Sequence, residues 1–462
     1  MRHFDLCVIG TGSGNSLIDE RFADSSVAML DDGVRFGGTC LNVGCIPTKM
    51  FVLPADYARA PHEAARIGVH LGPATADWPA IRDRIFGRID AISDAGELYR
   101  AHGDNVTLYR ATGRFVGERT LEVAGDTITA DKVVIAAGSR ATRPPIPGLE
   151  DAFAAGLAHT SDTIMRLDVL PATMAIIGSG YIAAEFAHVF SAFGTRVIIC
   201  SRSGQMLRQL DEEISRRYTA AVTGYADLRT CPTERVEVRD GGVRLHGRDA
   251  DGNPDVVDAD VLLVATGRVP NGDRLDVERA GVELDADGFV RVDAQQRTTA
   301  QGVWALGDVC SPSLLKHVAN HQARIVQHNL LHPDDPVSND GRAVPSAVFG
   351  HPQVAAVGLT EAEARAQGRD IAVAVQPYGT TAYGWALEDT DSVCKIVADR
   401  VSGEILGGHL IGPQASTLIQ PIIQAMATGL DARTMARGQY WIHPALTEVV
   451  ENALLALDLA DG

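Results

Sequence analysis

The feature that most constrains this chain is a glycine-rich turn that occurs twice, each time between a strand-like apolar run and a helix-like segment. The first turn, residues 10–15, follows the apolar run 4–9, and the second turn, residues 178–183, follows the run 174–177. Glycine at such turns lets backbone amides at a helix N-terminus approach a pyrophosphate closely. Two copies therefore predict two nucleotide-binding units of the Rossmann type and two bound nucleotides.

The first unit is predicted to continue from its turn into a helix that ends at Ala23 and then into a strand, residues 27–30. Asp31 follows that strand about 20 residues beyond the first glycine, where an acidic side chain binds the ribose hydroxyls of a dinucleotide. Asn15 stands where the third small residue is often glycine. The backbone positions expected at this first nucleotide are Gly10, Gly12 and Gly14.

The second unit carries no acid at the place that corresponds to Asp31. Its second strand, residues 196–200, is followed by Ser201 and Arg202, and Arg208 lies a few residues further on. Arginines at this position bind the 2′-phosphate of NADP, so we expect NADPH rather than NADH. The alternative, that both arginines are ordinary surface residues, stays open. The glycines of this turn are Gly178 and Gly180.

Composition places the chain among globular proteins of several domains. Its 462 residues are 45% apolar, enough for roughly three domains of ~150 residues each. The net charge of −18 disfavours nucleic acid and anionic membrane surfaces as partners. The sequence shows neither a signal peptide nor an apolar run of ~20 residues, so a cytoplasmic location is expected.

Two of the seven cysteines, Cys40 and Cys45, form a close pair within the glycine-rich segment 37–49. A zinc site needs further ligands, and the nearest candidate is the lone His62, so no metal is expected. A structural disulfide or a pair of inert thiols remains an alternative. Redox catalysis is favoured, because Pro47 suits a first helical turn and would place Cys45 at a positive helix end, where its thiolate is stabilised.

Segment 37–49 resembles the redox-active disulfide motif of the class I pyridine nucleotide-disulfide oxidoreductases, the family of glutathione reductase and dihydrolipoamide dehydrogenase. Residues 298–308 are similar to the second FAD motif of this family, residues 265–271 also fit it, and residues 443–448 are similar to its His-Pro…Glu pair. The resemblance extends essentially end to end. It implies FAD and NADPH as cofactors and an α/β fold with two Rossmann-like domains and a C-terminal α+β dimerisation domain. It also implies a homodimer whose active site is shared between subunits.

The resemblance also implies roles for single residues. Cys45 would lie next to the flavin, Cys40 would attack the disulfide substrate, and His443, oriented by Glu448, would be the acid–base group. Lys49 and Glu185 would form a buried ion pair beside the flavin, although a purely structural salt bridge is an alternative. Tyr181 would cover the nicotinamide pocket, unless it is an ordinary aromatic residue at a helix start. A helix beginning at Lys316 would direct its N-terminus at the flavin. The remaining cofactor-binding positions expected are Gly38, Thr39, Gly138, Gly267 and Asp308.

The predicted domains follow the proline-rich loop 144–148 and the acidic, turn-rich segment 333–340. An FAD domain is expected in two parts, 1–147 and 269–340, with an NADPH domain at 148–268 and an interface domain at 341–462. In the last domain we expect strands at 344–348, 371–375, 394–398 and 406–411 and helices at 416–428 and 446–457.

The two ends of the sequence, residues 10–16 and 438–444, most resemble members of this family that reduce mycothione, the disulfide of mycothiol. Glu20 stands where glutathione reductases carry an arginine for a glutathione carboxylate, which disfavours glutathione disulfide as the substrate.

A dihydrolipoamide dehydrogenase or another reductase of low-molecular-weight disulfides is the alternative. Mercuric and large thioredoxin reductases carry a C-terminal cysteine pair that residues 457–462 lack. A flavoprotein without catalytic activity is disfavoured because Cys40, Cys45, His443 and Glu448 are all present.

Overall fold

The computed structural model describes residues 1–339 and 341–460, which form two compact units. The first unit contains Met1–Met50, Arg82–Thr142 and Gly267–Asp340, and the second contains Phe51–Ile81, Arg143–Thr266 and Gly341–Gly462. Of the predicted domain limits, residues 340 and 462 lie outside the described residues, and the four domain boundaries stay a prediction.

A twisted, mostly parallel sheet forms the core of the first unit. Among the described residues its seven strands include Arg2–Ile9 at the centre, which is buried at Phe4 and from Leu6 to Ile9. Continuous apolar runs of this kind suit a sheet covered on both faces. The spatial order is Val106–Tyr109, Val27–Leu30, Arg2–Ile9, Asp126–Ile135, Thr120–Val123 and Gly113–Gly117, with Val303–Ala305 paired to Asp126–Ile135.

The prediction of a helix after the first glycine turn is wrong. Two short 3-10 turns, Gly14–Leu17 and Glu20–Phe22, take its place, and Ile18 between them is extended. Polar side chains compete here with helical hydrogen bonding: Asp19 caps the second turn by accepting from the backbone N–H of Arg21. In addition, Arg100 donates to the backbone carbonyls of Asn15 and Ile18, which satisfies groups that a helix would otherwise pair.

The second unit contains another parallel sheet, which confirms the strand–turn–helix pattern predicted around the second glycine turn. Within the described part of this unit, its five strands are ordered Asp227–Thr230, Arg196–Ser201, Thr173–Ile177, Val261–Val264 and Ala158–His159. An antiparallel three-stranded sheet packs against it, because Ile198 and Cys200 share one buried cluster with Val236 and Leu245. The strands of that smaller sheet are Thr233–Arg239, Gly242–Arg248 and Pro254–Ala259.

The last part of the second unit is an antiparallel sheet covered by helices, as expected. In the described chain its strands are ordered Pro345–Val348, Val354–Gly358, Ile405–Ile411, Val393–Asp399 and Ile371–Pro377. The predicted helix 416–428 is interrupted: Ala415–Leu418 and Gln420–Thr428 are separate. Pro421 is the reason, because proline has no backbone N–H to continue the hydrogen-bond ladder.

A buried ion pair lies within this second unit. Lys395 is 4% exposed, and its Nζ donates to Asp211 Oδ1 at 2.9 Å and lies 2.8 Å from Glu361 Oε2. Asp211 also caps the helix Glu212–Val222 by accepting from the backbone N–H of Glu213. The pair therefore fixes the start of that helix, a few residues after Arg208.

The α/β fold predicted from the sequence is confirmed. No helix in residues 1–339 or 341–460 is long and apolar enough to cross a membrane.

The short ribbon that completes the first unit pairs Ser139–Ala141 with Arg268–Pro270. The α-helices of the described chain are Gly38–Asn42, Cys45–Arg66, Trp78–Ala101, Leu149–Ala154, Tyr181–Ala192, Glu212–Val222, Lys316–Leu331, Glu361–Ala366, Ala382–Ala386, Ala415–Leu418, Gln420–Thr428, Ala432–Arg437 and Glu448–Leu455.

Candidate functional site

The two cysteines of the segment 37–49 belong to the first unit and lie on consecutive helices. Cys40 is on the short helix Gly38–Asn42 and is half-buried, whereas Cys45 is exposed and is the first residue of the helix Cys45–Arg66. Pro47 lies in the first turn of that helix, where its missing N–H costs nothing. Cys45 thus occupies the positive end of a 22-residue helix, as the sequence predicts.

The two sulfurs are close enough to share a hydrogen bond. That bond to Cys45, followed by burial, raises the pKa of the Cys40 thiol well above its usual range. The proton of the reduced pair therefore belongs on Cys40, while the helix end favours negative charge on Cys45. For Cys40 to attack a disulfide, a separate base must remove this proton.

Lys316 is a charged group beside Cys40 that the motif analysis missed. Its positive charge acts to lower the pKa of Cys40, opposing the larger effect of Cys45. Lys316 is the first residue of the helix Lys316–Leu331, and its Nζ donates to Ser13 Oγ at 2.8 Å. A cation at a helix N-terminus is electrostatically unfavourable, and this was the available sequence signal.

The first glycine turn is packed so closely against neighbouring residues that Gly10 and Gly14 have no room for a side chain. A Cβ on Gly10, which has φ = 106°, would overlap the carbonyl oxygen of Ala136, and one on Gly14 would lie 2.8 Å from Ala136 Cβ. Gly38 has φ = 73°, and its Cβ would lie 2.6 Å from Gly12 Cα. No side chain of these glycines covers the backbone amides of the turn, and a pyrophosphate of FAD needs such uncovered amides.

Asp31 is buried at the end of the strand Val27–Leu30, and its carboxylate is held from several sides. Thr11 donates its hydroxyl to Oδ2, the backbone N–H of Gly33 donates to Oδ1 at 2.9 Å, and Arg110 Nη1 donates to Oδ2 at 2.7 Å. The carboxylate is thereby fixed in orientation and its charge is balanced. Arg110 is a further residue that no motif indicates, because it reaches Asp31 through the fold alone.

Asp308 is also held by residues of its own unit. Ser139 Oγ donates to Asp308 Oδ2 at 2.7 Å, and Arg268 Nε donates to Ser139 Oγ at 2.8 Å. The neighbouring glycines Gly138 and Gly267 have φ values of 65° and 119°, which glycine adopts without strain. Thr39 lies in the helix Gly38–Asn42. The expected FAD positions of the first unit thus converge around glycine turns at strand ends.

The second glycine turn repeats this construction in the second unit. Gly178 has φ = 126°, and a Cβ there would overlap the carbonyl oxygen of Ala265, whereas Gly180 faces open space. Tyr181 is the first residue of the helix Tyr181–Ala192, is half-buried, and donates its hydroxyl to Ser346 Oγ at 3.4 Å. This turn also leaves its backbone open to a phosphate.

Arg202 and Arg208 flank the carboxyl end of the strand Arg196–Ser201, and both are exposed. Neither makes an ion pair with a carboxylate among the described residues, in contrast to Arg229, which binds Asp227 and Asp255. Both guanidinium groups are therefore available to an anionic ligand, which fits the 2′-phosphate of NADPH.

His443 and Glu448 are brought together in the second unit. His443 Nδ1 donates to Glu448 Oε1 at 2.7 Å, and the backbone N–H of Ala445 donates to Oε2 at 3.2 Å. The bond from His443 lowers the pKa of Glu448. Glu448 therefore stays ionised and fixes the tautomer of the imidazole, whose Nε2 is left for proton transfer. The His443 side chain is 70% exposed.

Lys49 lies in the first unit and Glu185 in the second, and their predicted pairing remains a prediction. Glu185 is buried, and its Oε1 accepts from the backbone N–H of Phe349 at 2.9 Å. Within residues 1–339 and 341–460, no group of three or more His, Cys, Asp or Glu side chains is placed to hold a metal ion.

Two family models together match most of the chain. The model described as pyridine nucleotide-disulphide oxidoreductase matches residues 4–324, and the model of the dimerisation domain of the same family matches residues 344–454. The chain belongs to the pyridine nucleotide-disulphide oxidoreductase family. This confirms the family predicted from the sequence and shows that the protein is an oxidoreductase.

Several members of this family are similar over nearly the whole chain. A mycothione reductase of Mycobacterium tuberculosis is 52% identical, with 99% of this chain and 100% of the relative covered. A dihydrolipoyl dehydrogenase of Haloferax volcanii is 32% identical, with 97% and 96% covered, and a glutathione reductase of Burkholderia cepacia is 30% identical, with 96% and 97% covered.

A solved structure in this group has the same fold. The HOCl-induced flavoprotein disulfide reductase RclA from Escherichia coli superposes with a TM-score of 0.85 at 27% identity, covering 98% of this chain and 99% of its own. The expected cofactors of this pyridine nucleotide-disulphide oxidoreductase, FAD and NADPH, are confirmed. Its dimerisation domain supports a homodimer.

Proposed function

We propose that this protein is an NADPH-dependent reductase of mycothione that works through FAD and a redox-active pair formed by Cys40 and Cys45. The observation that carries the proposal is the hydrogen-bonded cysteine pair at a helix N-terminus. It occurs in a chain that is 52% identical to a mycothione reductase. The cytoplasmic location expected from the sequence is part of this proposal.

The two cofactors, when bound, supply a hydride and a path for two electrons to sulfur. For FAD, the positions that would hold the pyrophosphate and ribose are Gly10, Gly14 and Asp31, while Asp308 would hold the ribityl chain. For NADPH, the turn at Gly178 and Gly180 and the cations Arg202 and Arg208 would hold the adenosine side, and Tyr181 would cover the nicotinamide pocket. Lys49 and Glu185 would pair beside the flavin.

The cysteines divide the sulfur chemistry between them. Cys45 holds negative charge at the helix end, and Cys40 holds the proton. Once deprotonated, Cys40 attacks one sulfur of the substrate disulfide, forms a mixed disulfide and releases one thiolate. Cys45 then attacks Cys40, which closes the pair and releases the second thiolate. Each thiolate released must receive a proton.

His443 is the group proposed to move these protons. Its Nδ1 is engaged by Glu448, so Nε2 takes the proton from Cys40 and returns it to the leaving thiolate. We assign this pair to the partner's Cys40, in line with a shared active site in the homodimer. The exposed apolar residues Tyr440 and Ile442, just before His443, support burial of this segment in an interface.

The negative charge of Glu20 is one reason for proposing mycothione as the substrate. Glu20 is exposed at the first position of the turn Glu20–Phe22, beside Asp19, whose charge Arg21 balances at 2.6 Å. An anion here repels the carboxylates of glutathione disulfide, whereas mycothiol, a cysteinyl amino-sugar inositol, has no free carboxylate. Like charges at an exposed site contribute only about 1 kcal/mol, so Glu20 contributes to selectivity without setting it alone.

NADPH oxidation against mycothione, glutathione disulfide and lipoamide tests the proposal. We expect the highest kcat/KM for mycothione with the purified, flavin-loaded dimer. In Glu20→Arg, reduction of glutathione disulfide should improve about fivefold, the effect of about 1 kcal/mol. Asp24→Arg, which makes the same change of charge at another exposed position of this segment, is a control for surface charge. Equal efficiency of wild type with mycothione and glutathione disulfide would leave only the disulfide reductase class.

A further inference from the structure

A second pair of cysteines, distinct from the redox pair, lies inside the second unit. Cys200 is on the strand Arg196–Ser201, and Cys231 follows the neighbouring parallel strand Asp227–Thr230. The register pairs Cys200 with Arg229, and the backbone N–H of Cys231 donates to the carbonyl oxygen of Ser201 at 3.0 Å. Since side chains two residues apart share a face of a sheet, Cys200 and Cys231 point to the same side.

The register and the shared face place the two thiols next to each other on adjacent strands. Their mutual interaction raises the pKa of Cys200 and lowers that of Cys231, and the charge of Arg229 also acts to lower the pKa of Cys231, against burial and Asp255. Cys231 is therefore the thiolate-forming member of the pair. A Cβ on Gly247 would lie 2.6 Å from Cys231 Sγ, so the absence of a side chain at Gly247 makes room for this sulfur.

The pair adjoins the backbone that carries the proposed 2′-phosphate contacts. Cys200 is followed directly by Ser201 and Arg202, and Ser201 Oγ accepts from the backbone N–H of Ser203 at 3.3 Å. Gly204 packs so closely against Thr230 that a Cβ would overlap its hydroxyl. A displacement of Cys200 toward Cys231 is therefore transmitted to the loop that begins at Arg202.

We propose that Cys200 and Cys231 are a second redox site, which hydrogen peroxide converts to a disulfide, and that this disulfide weakens NADPH binding. The Cys231 thiolate attacks one peroxide oxygen, which breaks the O–O bond and gives a sulfenic acid and, after protonation, water. The Cys200 thiol then attacks the sulfenic sulfur and releases a second water. Two electrons pass from the two thiols to the peroxide. A small dithiol such as dithiothreitol reverses it by exchange.

Both thiols are buried, which limits the oxidants that can reach them. Cys200 and Cys231 are 3% and 2% exposed, so a small oxidant is required rather than a bulky disulfide. The strand Asp227–Thr230 lies at the end of the five-strand order, and edge strands open locally at lower cost than central ones. Disulfide formation brings the sulfurs to about 2.05 Å, closer than any hydrogen-bonded contact, so the strand ends must shift.

The effect on NADPH rests on the proposed role of Arg202. We expect the dissociation constant for NADP⁺ to rise about tenfold on oxidation, as when one charge-assisted hydrogen bond is lost. The experiment treats oxidised, FAD-loaded dimer with hydrogen peroxide, removes the peroxide, and measures NADP⁺ binding by calorimetry before and after dithiothreitol. Disulfides are mapped in the same samples by mass spectrometry of non-reduced peptides.

The proposal predicts a Cys200–Cys231 linked peptide, weaker NADP⁺ binding and recovery of both with dithiothreitol. In Cys231→Ser, and in Cys231→Ala should the serine variant fail to fold, peroxide should leave NADP⁺ affinity unchanged. The proposal is overturned if no linked peptide forms, if the link forms without a change in affinity, or if the buried Cys7 and Cys394 react equally fast. Absence of NADP⁺ binding before oxidation would instead refute the proposed cofactor site.

Discussion

Replacement of both Arg202 and Arg208 by alanine should convert the protein from an NADPH-selective to a nearly unselective reductase. Both side chains are exposed beside the end of the strand Arg196–Ser201, and among the described residues neither is engaged by a carboxylate. Binding a 2′-phosphate therefore breaks no existing ion pair. The full value of each new contact is available to distinguish NADPH from NADH.

The expected magnitude follows from the charge and the exposure of these groups. A hydrogen bond to a charged group contributes roughly 1.5–3 kcal/mol, and solvent exposure places Arg202 and Arg208 at the lower end of that range. Two contacts of about 1.5 kcal/mol sum to about 3 kcal/mol, or roughly a hundredfold in selectivity. Each single variant should lose about tenfold, because the two side chains contact the phosphate independently.

The assay is the ratio of kcat/KM for NADPH to kcat/KM for NADH, at saturating disulfide and at two ionic strengths. Added salt should lower the ratio in wild type and leave it nearly unchanged in the double variant. Arg216→Ala combined with Arg248→Ala is the matched control, because it removes two exposed arginines of the same unit that bind Glu213 and Glu234 instead. A double variant that keeps the wild-type ratio, or a control that loses it equally, would refute the assignment.

Three further outcomes are expected. Cys45→Ser should abolish the long-wavelength thiolate-to-flavin absorbance of the reduced holoenzyme, whereas Cys40→Ser should keep that band and lose disulfide turnover; full turnover in Cys40→Ser would remove Cys40 from the mechanism. Heterodimers of Cys40→Ser and His443→Ala subunits should recover about half of wild-type activity, because one of their two shared sites keeps both residues. No recovery in verified heterodimers would place His443 in its own subunit's site. Lys395→Met should lower the free energy of unfolding by about 3 kcal/mol in urea titration, because Asp211 then stays buried without its cation; a loss below about 1 kcal/mol would show that the ion pair is weakly stabilising.

Local sequence patterns predicted the parts of the molecule that depend on neighbouring residues. The strands before Gly10 and Gly178 and the helix that starts at Cys45 follow from apolar runs, from glycine and from the proline in the first turn. His443 and Glu448 are five residues apart, and the structure joins them by a direct hydrogen bond. Such features are decided within a few residues of chain, where backbone preferences act directly.

The features that sequence reasoning missed depend on residues far apart in the chain. Arg110 reaches Asp31 from the end of the neighbouring strand, and Arg100 satisfies the carbonyls that a helix after Gly14 would have used. Cys200 meets Cys231 only because their strands are adjacent and in register. A motif search cannot find these contacts, because their spacing in the chain has no fixed period and tertiary packing overrides local propensity.

The contact between Gly12 and Gly38 limits how this protein can vary in evolution. A side chain at Gly12 has ordinary room beside Gly38 Cα, at 3.8 Å, whereas one at Gly38 would meet the backbone of Gly12 at 2.6 Å and would also need a positive φ. Gly38 is therefore restricted by the protein itself, whereas Gly12 is restricted by the expected approach of the pyrophosphate to its backbone. The redox segment and the dinucleotide turn keep their touching glycines for two different reasons.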